Sequence, residues 1–382
     1  MSWLRTTKED AVLAIDMGTA STSAVLFVYE DKNKVDIIKV LRRRHKHSIS
    51  RDSHQFQKSA LNEASELLKD VEKSFRDYLP KEIRIGVAAP FYLAKTVSIH
   101  QERDENKAIE DKELEVIARN GEQETKKAIL GQNLEVFETN FLQTQLNGYD
   151  VNNIIGRKSR DITATIRYAA LQKEFLEDLN KRFSYIFPSA KIHFFTFPVL
   201  YLSMLKQIIK DKKTALIIDL GGETTEVSLI KNNVIEKVFS IPFGILTLAS
   251  RMQDMSGIDI DTATALLKSY ASGTLSEKES IRIKEIIMSE SSKWQSAFKN
   301  IMKHVSPPVS ILFLGGGSWF EDLKEIILSS EDIKKNSELV FISNVSPSAF
   351  KEKIGEWKEL AGPEDFGLLG LILGAANETL QT

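Results

Sequence analysis

The chain has 382 residues, 42% of them hydrophobic and 27% charged, a composition expected of a soluble protein with more than one packed core. Fifty-one Lys and Arg stand against 53 Asp and Glu, and a net charge of −2 excludes the broad basic face of a dedicated nucleic-acid binder. Cysteine is absent, which excludes disulfides, thiolate metal sites and Cys nucleophiles and is compatible with a cytoplasmic location. The longest apolar run, residues 366–376, is far short of the ~20 residues that span a bilayer, and the first ten residues carry no apolar core of the signal-peptide kind.

In chain order, residues 11–28 (AVLAIDMGTASTSAVLFV) read as a β-hairpin: an apolar run, a polar turn with Gly, and a second apolar run. The basic run Arg42 to His47 is read as a solvated strand end or loop, with His45 and His47 as solvated histidines. Residues 59–78 have helical apolar spacing up to Pro80, and 82–89 form a short strand. Residues 86–160 break the strand–helix rhythm with short alternating strands, a charge-dense helix near 110–127 and the turn Leu146-Asn147-Gly148-Tyr149, and are read as an inserted α+β module. Residues 162–182 and 199–209 are amphipathic helix candidates. Residues 214–230 (TALIIDLGGETTEVSLI) repeat the first hairpin. Helices follow over 258–270 and 277–304, the second either continuous or broken near Ser289. A buried strand, 310–314, runs into Gly315-Gly316-Gly317 and a helix over 319–328. A strand over 339–342 and an apolar helix over 366–380 close the chain.

The two hairpins carry the chemistry. Aligned on Asp16 and Asp219, Ile15 to Thr22 and Ile218 to Thr225 are identical or similar except at Thr19/Gly222 and Ala20/Glu223. A Gly after a strand-end Asp permits a tight turn whose amides face a phosphate, and Ser or Thr hydroxyls add donors. The Asp can hold a hydrated Mg²⁺ that neutralises the phosphate. One such hairpin also makes an ordinary turn; two copies half a chain apart point to a polyphosphate gripped from both sides. Gly315 to Gly317 give a ligand close access to backbone, and neither a Walker motif nor the spaced dinucleotide fingerprint is present. Glu223 and Glu226 flank the second loop, and either assist a water or occupy structural positions on the hairpin.

First hairpin, second hairpin and Gly-rich turn, in that order, resemble the actin, sugar-kinase and heat-shock-chaperone superfamily over nearly the whole chain. The inserted module resembles the extra subdomain of the FtsA and PilM families. The resemblance implies a duplicated actin-like (ribonuclease H-like) α/β fold with two lobes around a nucleotide cleft. The first lobe would be 1–85 and 161–212, the module 86–160, and the second lobe 213–382 with a helical part near 245–305. It implies ATP and Mg as cofactors. Asp16, Gly18, Thr19, Ser21 and Thr22 would line one phosphate loop, and Asp219, Gly221, Gly222, Thr224 and Thr225 the other. Gly315, Gly316, Gly317 and Lys268 would meet the adenosine, and Asp16 and Asp219 would hold Mg through water. Two positions depart from the pattern. Thr264-Ala265 stands where a Glu is expected three residues before Lys268, and Phe197-Pro198 where Glu-Pro would orient a water, so hydrolysis should be slow.

The function implied is an ATP-binding, FtsA-like adaptor that self-associates and recruits a division-ring partner. The alternatives are a PilM-like cytoplasmic scaffold of a type IV pilus machine, or a small-molecule kinase or phosphatase of the same superfamily. Residues 366–382 contain no Lys or Arg, so an interfacial helix is not expected there, and membrane contact should be indirect, through a partner.

Overall fold

A computed structural model describes residues 11–30, 34–45, 53–74, 78–128, 133–151, 153–209, 214–305, 309–328, 340–355 and 357–375. Two five-stranded sheets have the same strand order. In the first, β1 (Val12–Met17) pairs antiparallel with β2 (Ser21–Tyr29), which pairs with β3 (Val35–Arg44). On its other side β1 runs parallel to β4 (Glu82–Val87), which runs parallel to the strand Lys191–Thr196. In the second sheet Thr214–Leu220 takes the place of β1, with Thr225–Lys231 and Val234–Ile241 on one side and Val309–Leu314 and Val340–Asn344 on the other. The duplication legible in the two hairpins therefore extends to whole sheets.

Strand pleating explains how each sheet is buried on both faces. Leu13, Ile15 and Met17 face a core with helices α1 (Ser53–Ser74) and α3 (Lys173–Ile186). Leu216, Ile218 and Leu220 face a core with α5 (Ile245–Ser256), α6 (Ile260–Ala271), α7 (Glu277–Met302) and α8 (Glu321–Leu328). The alternate residues Val12, Ala14, Ala215 and Ile217 belong to a third core between the sheets, filled by α4 (Phe197–Ile209) and the closing segment Phe366–Gly374. Asp16 and Asp219 share the parity of this inner set, so the alternation that buries the strands also turns both carboxylates toward each other's lobe.

The module has its own sheet, ordered β5 (Leu93–Ala108), β8 (Lys158–Gln172), β6 (Leu134–Leu146) and β7 (Tyr149–Asp150), covered by α2 (Asp111–Ala128). Its strands reach 16 residues, longer than expected from sequence. Asn147 and Gly148 take positive φ (50° and 82°) in the β6–β7 turn, as their Asn-Gly sequence dictates.

The helix expected over 162–182 is a correction. Ile162, Ala164, Ile166 and Tyr168 alternate with Thr, Thr and Arg, a period of two, and they form β8 up to Gln172; helical spacing begins only at Lys173. Strand β8 thus carries the module's sheet beyond residue 160. Helix α7 runs unbroken through Ser289. The closing helix turns into a π-helix over Gly370–Gly374, and the expected residues 376–380 lie outside the described residues.

Candidate functional site

Both hairpin loops close in the same way. Gly18 N–H donates to Ser21 O at 3.1 Å and Gly221 N–H to Thr224 O at 3.0 Å. The loops meet: Glu223 N–H donates to Thr19 Oγ1 at 3.0 Å, and a Cβ on Gly222 would stand 2.6 Å from Ala20 Cβ. The second loop is fixed from behind by α5, whose Ile245 and Leu246 amides donate to Gly221 O (3.1 Å) and Gly222 O (2.8 Å).

A cleft between the lobes is lined by Asp16, Gly18, Thr19 and Ser21 from the first hairpin and by Asp219, Gly221, Gly222 and Thr224 from the second, with Lys268, Gly315 and Gly316 alongside. Three residues expected there lie elsewhere. Thr22 and Thr225 have the opposite strand parity. Thr22 is buried and bonded to His45 Nε2 at 2.8 Å, while Thr225 donates to Phe243 O at 2.7 Å and accepts from Trp294 Nε1 at 3.2 Å. Gly317 is a turn residue, its N–H donating to Leu220 O at 2.9 Å. Gly315 has φ +80°, and a Cβ there would meet Asp219 Oδ1 at 2.2 Å, so the glycine both makes the turn and leaves room for the carboxylate. Gly367, from the closing segment, packs as closely on Asp16, where a Cβ would lie 2.2 Å from Oδ2.

Two like charges in a poorly hydrated cleft resist ionisation. Burial first, and then the charge of Asp219, push the Asp16 carboxyl up to about 8, with Arg42 opposing. Burial pushes Asp219 up to about 6 against the hydrogen bond from Tyr201 Oη at 2.9 Å. Among the described residues no group of three or more His, Asp or Glu could hold a metal by itself. Two carboxylates with hydroxyl-bearing loops suit Mg²⁺, which keeps several waters and takes its remaining oxygens from a phosphate ligand.

Several residues reach the cleft that sequence reading placed elsewhere. The basic run is the end of strand β3, one of the two readings expected of it, with Arg42 and Arg44 exposed, yet it also reaches the cleft. Arg42 pairs with Asp365, Arg43 with Asp70 at 2.6 Å, and Arg42 and Arg44 line the cleft. His45 is buried and holds the first loop through Thr22 and Thr19 O, at 3.1 Å from the latter; His47 lies outside the described residues. Opposite Lys268, the carboxylate missing from α6 comes from Glu364 of another segment, at 3.3 Å. Burial raises the Glu364 carboxyl, but its backbone hydrogen bond, Lys268 and Arg42 together hold it below the usual range. Glu226 stands opposite Asp219 in the antiparallel register and faces the cleft; burial foremost pushes it up to about 7. Phe197, where a water-orienting Glu was expected, is buried against Gly86 and stacked on Tyr201 with ring centroids 5.6 Å apart.

Residues 162–304 match the model of the Ppx/GppA phosphatase family, a stretch that includes the second hairpin but not Asp16. No curated protein matches the chain by sequence. Among solved structures, PilM from a PilM–PilN type IV pilus biogenesis complex is 14% identical, with a TM-score of 0.65 over 96% of this chain and 98% of that one. MreB5 of Spiroplasma citri bound to ADP is 11% identical, with a TM-score of 0.50 over 98% of this chain and 100% of that one. The chain has the actin-like ATPase fold.

Proposed function

We propose that the cleft binds a Mg-nucleoside triphosphate, ATP in the first instance, and that its occupancy governs docking of a protein partner onto an assembly machine, in the manner of a PilM-like scaffold. The observation that carries this reading is the convergence of Asp16 and Asp219 from two equivalent hairpins onto one cleft, each carboxylate held above its ordinary range chiefly by burial and so open to stabilisation by an added positive charge. Mg²⁺, held by these two residues through water, would supply that charge and neutralise the phosphates. The chain's own part is to orient the ligand: Gly18, Thr19 and Ser21 of one loop and Gly221, Gly222 and Thr224 of the other line the phosphate region, and Lys268 and Glu364 line the cleft beside Gly315 and Gly316. The pilus reading is supported by the extent of the likeness to PilM, which covers 96% of this chain.

Calorimetry with Mg-ATP tests the cleft. Asp16→Ala or Asp219→Ala should weaken binding at least about tenfold, ~1.4 kcal/mol; wild-type affinity in both variants would refute the reading.

A second reading, phosphohydrolysis of a phosphoanhydride in the same cleft, is favoured by the Ppx/GppA match and by Glu226, a buried carboxylate poised near neutrality beside Asp219. Phosphate release from polyphosphate or nucleotide, lost in Glu226→Gln with substrate binding retained, would support it; no release from either would dismiss it.

A further inference from the structure

The buried polar groups that nucleotide binding does not use form one connected chain between cleft and module. The Tyr92 hydroxyl donates to the Glu226 carboxylate in a short hydrogen bond. The Arg167 guanidinium lies over the Tyr92 ring, 5.8 Å from its centroid. Arg167 Nη1 donates to Glu138 Oε2 at 3.0 Å and to Thr196 Oγ1 at 2.9 Å. Thr196 donates to Glu138 twice, from its amide at 3.1 Å and its hydroxyl at 2.6 Å. Each of the five side chains is less than a tenth exposed: Tyr92 and Glu226 7%, Glu138 6%, Arg167 1% and Thr196 0%.

Their positions in the chain matter as much as their bonds. Glu138 and Arg167 belong to the module's strands β6 and β8. Tyr92 is the residue before β5, where the chain enters the module, and Thr196 immediately precedes cleft-lining Phe197. Buried ion pairs are weak stabilisers but costly to leave half-made, so a change at one end of such a chain is not absorbed locally. One donor is also spare: Arg167 Nη2 is buried without a hydrogen-bond partner among the described residues. A buried guanidinium N–H without an acceptor favours any arrangement that brings it one.

We propose that Tyr92 and Arg167 are positioning residues that join the cleft carboxylate Glu226 to the core of the inserted module, so that a phosphate beside Glu226 alters the module's packing at Glu138 and Thr196. The proposal rests on the reading of the cleft as a phosphate site. An arriving phosphate repels the Glu226 carboxylate, and a carboxylate displaced from Tyr92 has the free Arg167 donor as an alternative partner. Arg167 then loosens its hold on Glu138 and Thr196. The core of the module and the phosphate end of the cleft would in this way share one two-state element.

Two experiments on the full chain test it. The first needs no ligand: a double-mutant cycle of Glu226→Gln and Glu138→Gln, read by urea unfolding. The coupling should reach at least about fivefold in the unfolding equilibrium constant and fall below about twofold when Tyr92→Phe removes the connecting hydroxyl. Additive effects in the Tyr92 protein, or coupling that survives Tyr92→Phe, would overturn the proposal. In the second, hydrogen exchange in β5 and α2 should change at least about threefold on saturation with Mg-ATP. Tyr92→Phe should abolish that response while its calorimetric affinity for Mg-ATP stays within about threefold. Binding with no response in the wild-type module would also overturn it. A protein that binds no Mg-ATP would remove the proposed function instead, leaving the ligand-free cycle to decide the network.

Discussion

Asp16 shows how one side chain links fold and chemistry. Its parity on β1 turns it, half-buried, into the cleft between the lobes, and desolvation there with the neighbouring charge of Asp219 raises its carboxyl to about 8. Between about pH 4, where an unfolded carboxylate titrates, and pH 8, the folded protein therefore holds a proton that the unfolded chain has released. Ligand-free stability must fall as pH rises through that window, and Asp219 (about 6) and Glu226 (about 7) act in the same sense over narrower ranges. In EDTA the wild-type Tm should drop between pH 5 and pH 8. Asp16→Asn should flatten the profile and raise Tm at pH 8 by roughly 2 °C or more. A variant that loses Tm as steeply as wild type would contradict this. Gly315 gives a second test at this scale. Its φ of +80° and its closeness to Asp219 and Leu220 leave no place for a methyl group, so Gly315→Ala should cost at least about 2 kcal/mol in urea unfolding.

At the scale of elements, α4 decides what the cleft can do. It starts directly after the parallel strand that ends at Thr196, and its first residue lines the cleft. In this chain that residue is Phe197, stacked on Tyr201, whose hydroxyl is committed to Asp219. Neither ring orients a water for attack on a phosphate. Turnover of Mg-ATP should therefore stay below about one per second, at the bottom of the range common for enzymes, and a faster phosphate release would show that Glu226 acts as the base in place of a residue on α4. The closing segment is equally tied to the cleft. Gly367 packs on Asp16, and Glu364 and Asp365 join Lys268 of the second lobe to Arg42 of the first. No helix among the described residues is long and apolar enough to cross a membrane, and Phe366 to Ile372 are buried in the core between the sheets.

At the scale of the molecule, the two sheets share one core through α4 and the closing segment but face each other across the cleft with two repelling carboxylates. A ligand that binds both hairpins should strengthen the whole. At a hundredfold excess over Kd, Mg-ATP should add ~2.7 kcal/mol and raise Tm by roughly 3 °C. Asp16→Ala should lose most of that gain. An unchanged wild-type Tm under these conditions would mean that the hairpins do not grip a common ligand.

What the sequence by itself determined was local and periodic. The Asp-x-Gly turns, the apolar strands around them, the Asn-Gly hairpin of the module and most of the helices were legible, because turn chemistry and hydrophobic period are properties of a few consecutive residues. The same periodicity also fixes a strand and two side-chain orientations. The alternation of Ile162 to Tyr168 already spelled a strand, and the opposite parity of Thr22 and Thr225 already turned them from the cleft. Only the tertiary structure decided which distant residues meet. Arg42 finds Asp365 across 323 residues, Lys268 finds Glu364 across 96 and Tyr92 finds Glu226 across 134. No spacing rule connects such pairs. Each exists because the packing of two lobes and a module brings distant segments together; at Tyr92 and Glu226 it also removes a carboxylate from water, and a buried charge is stable only where the fold brings it a partner.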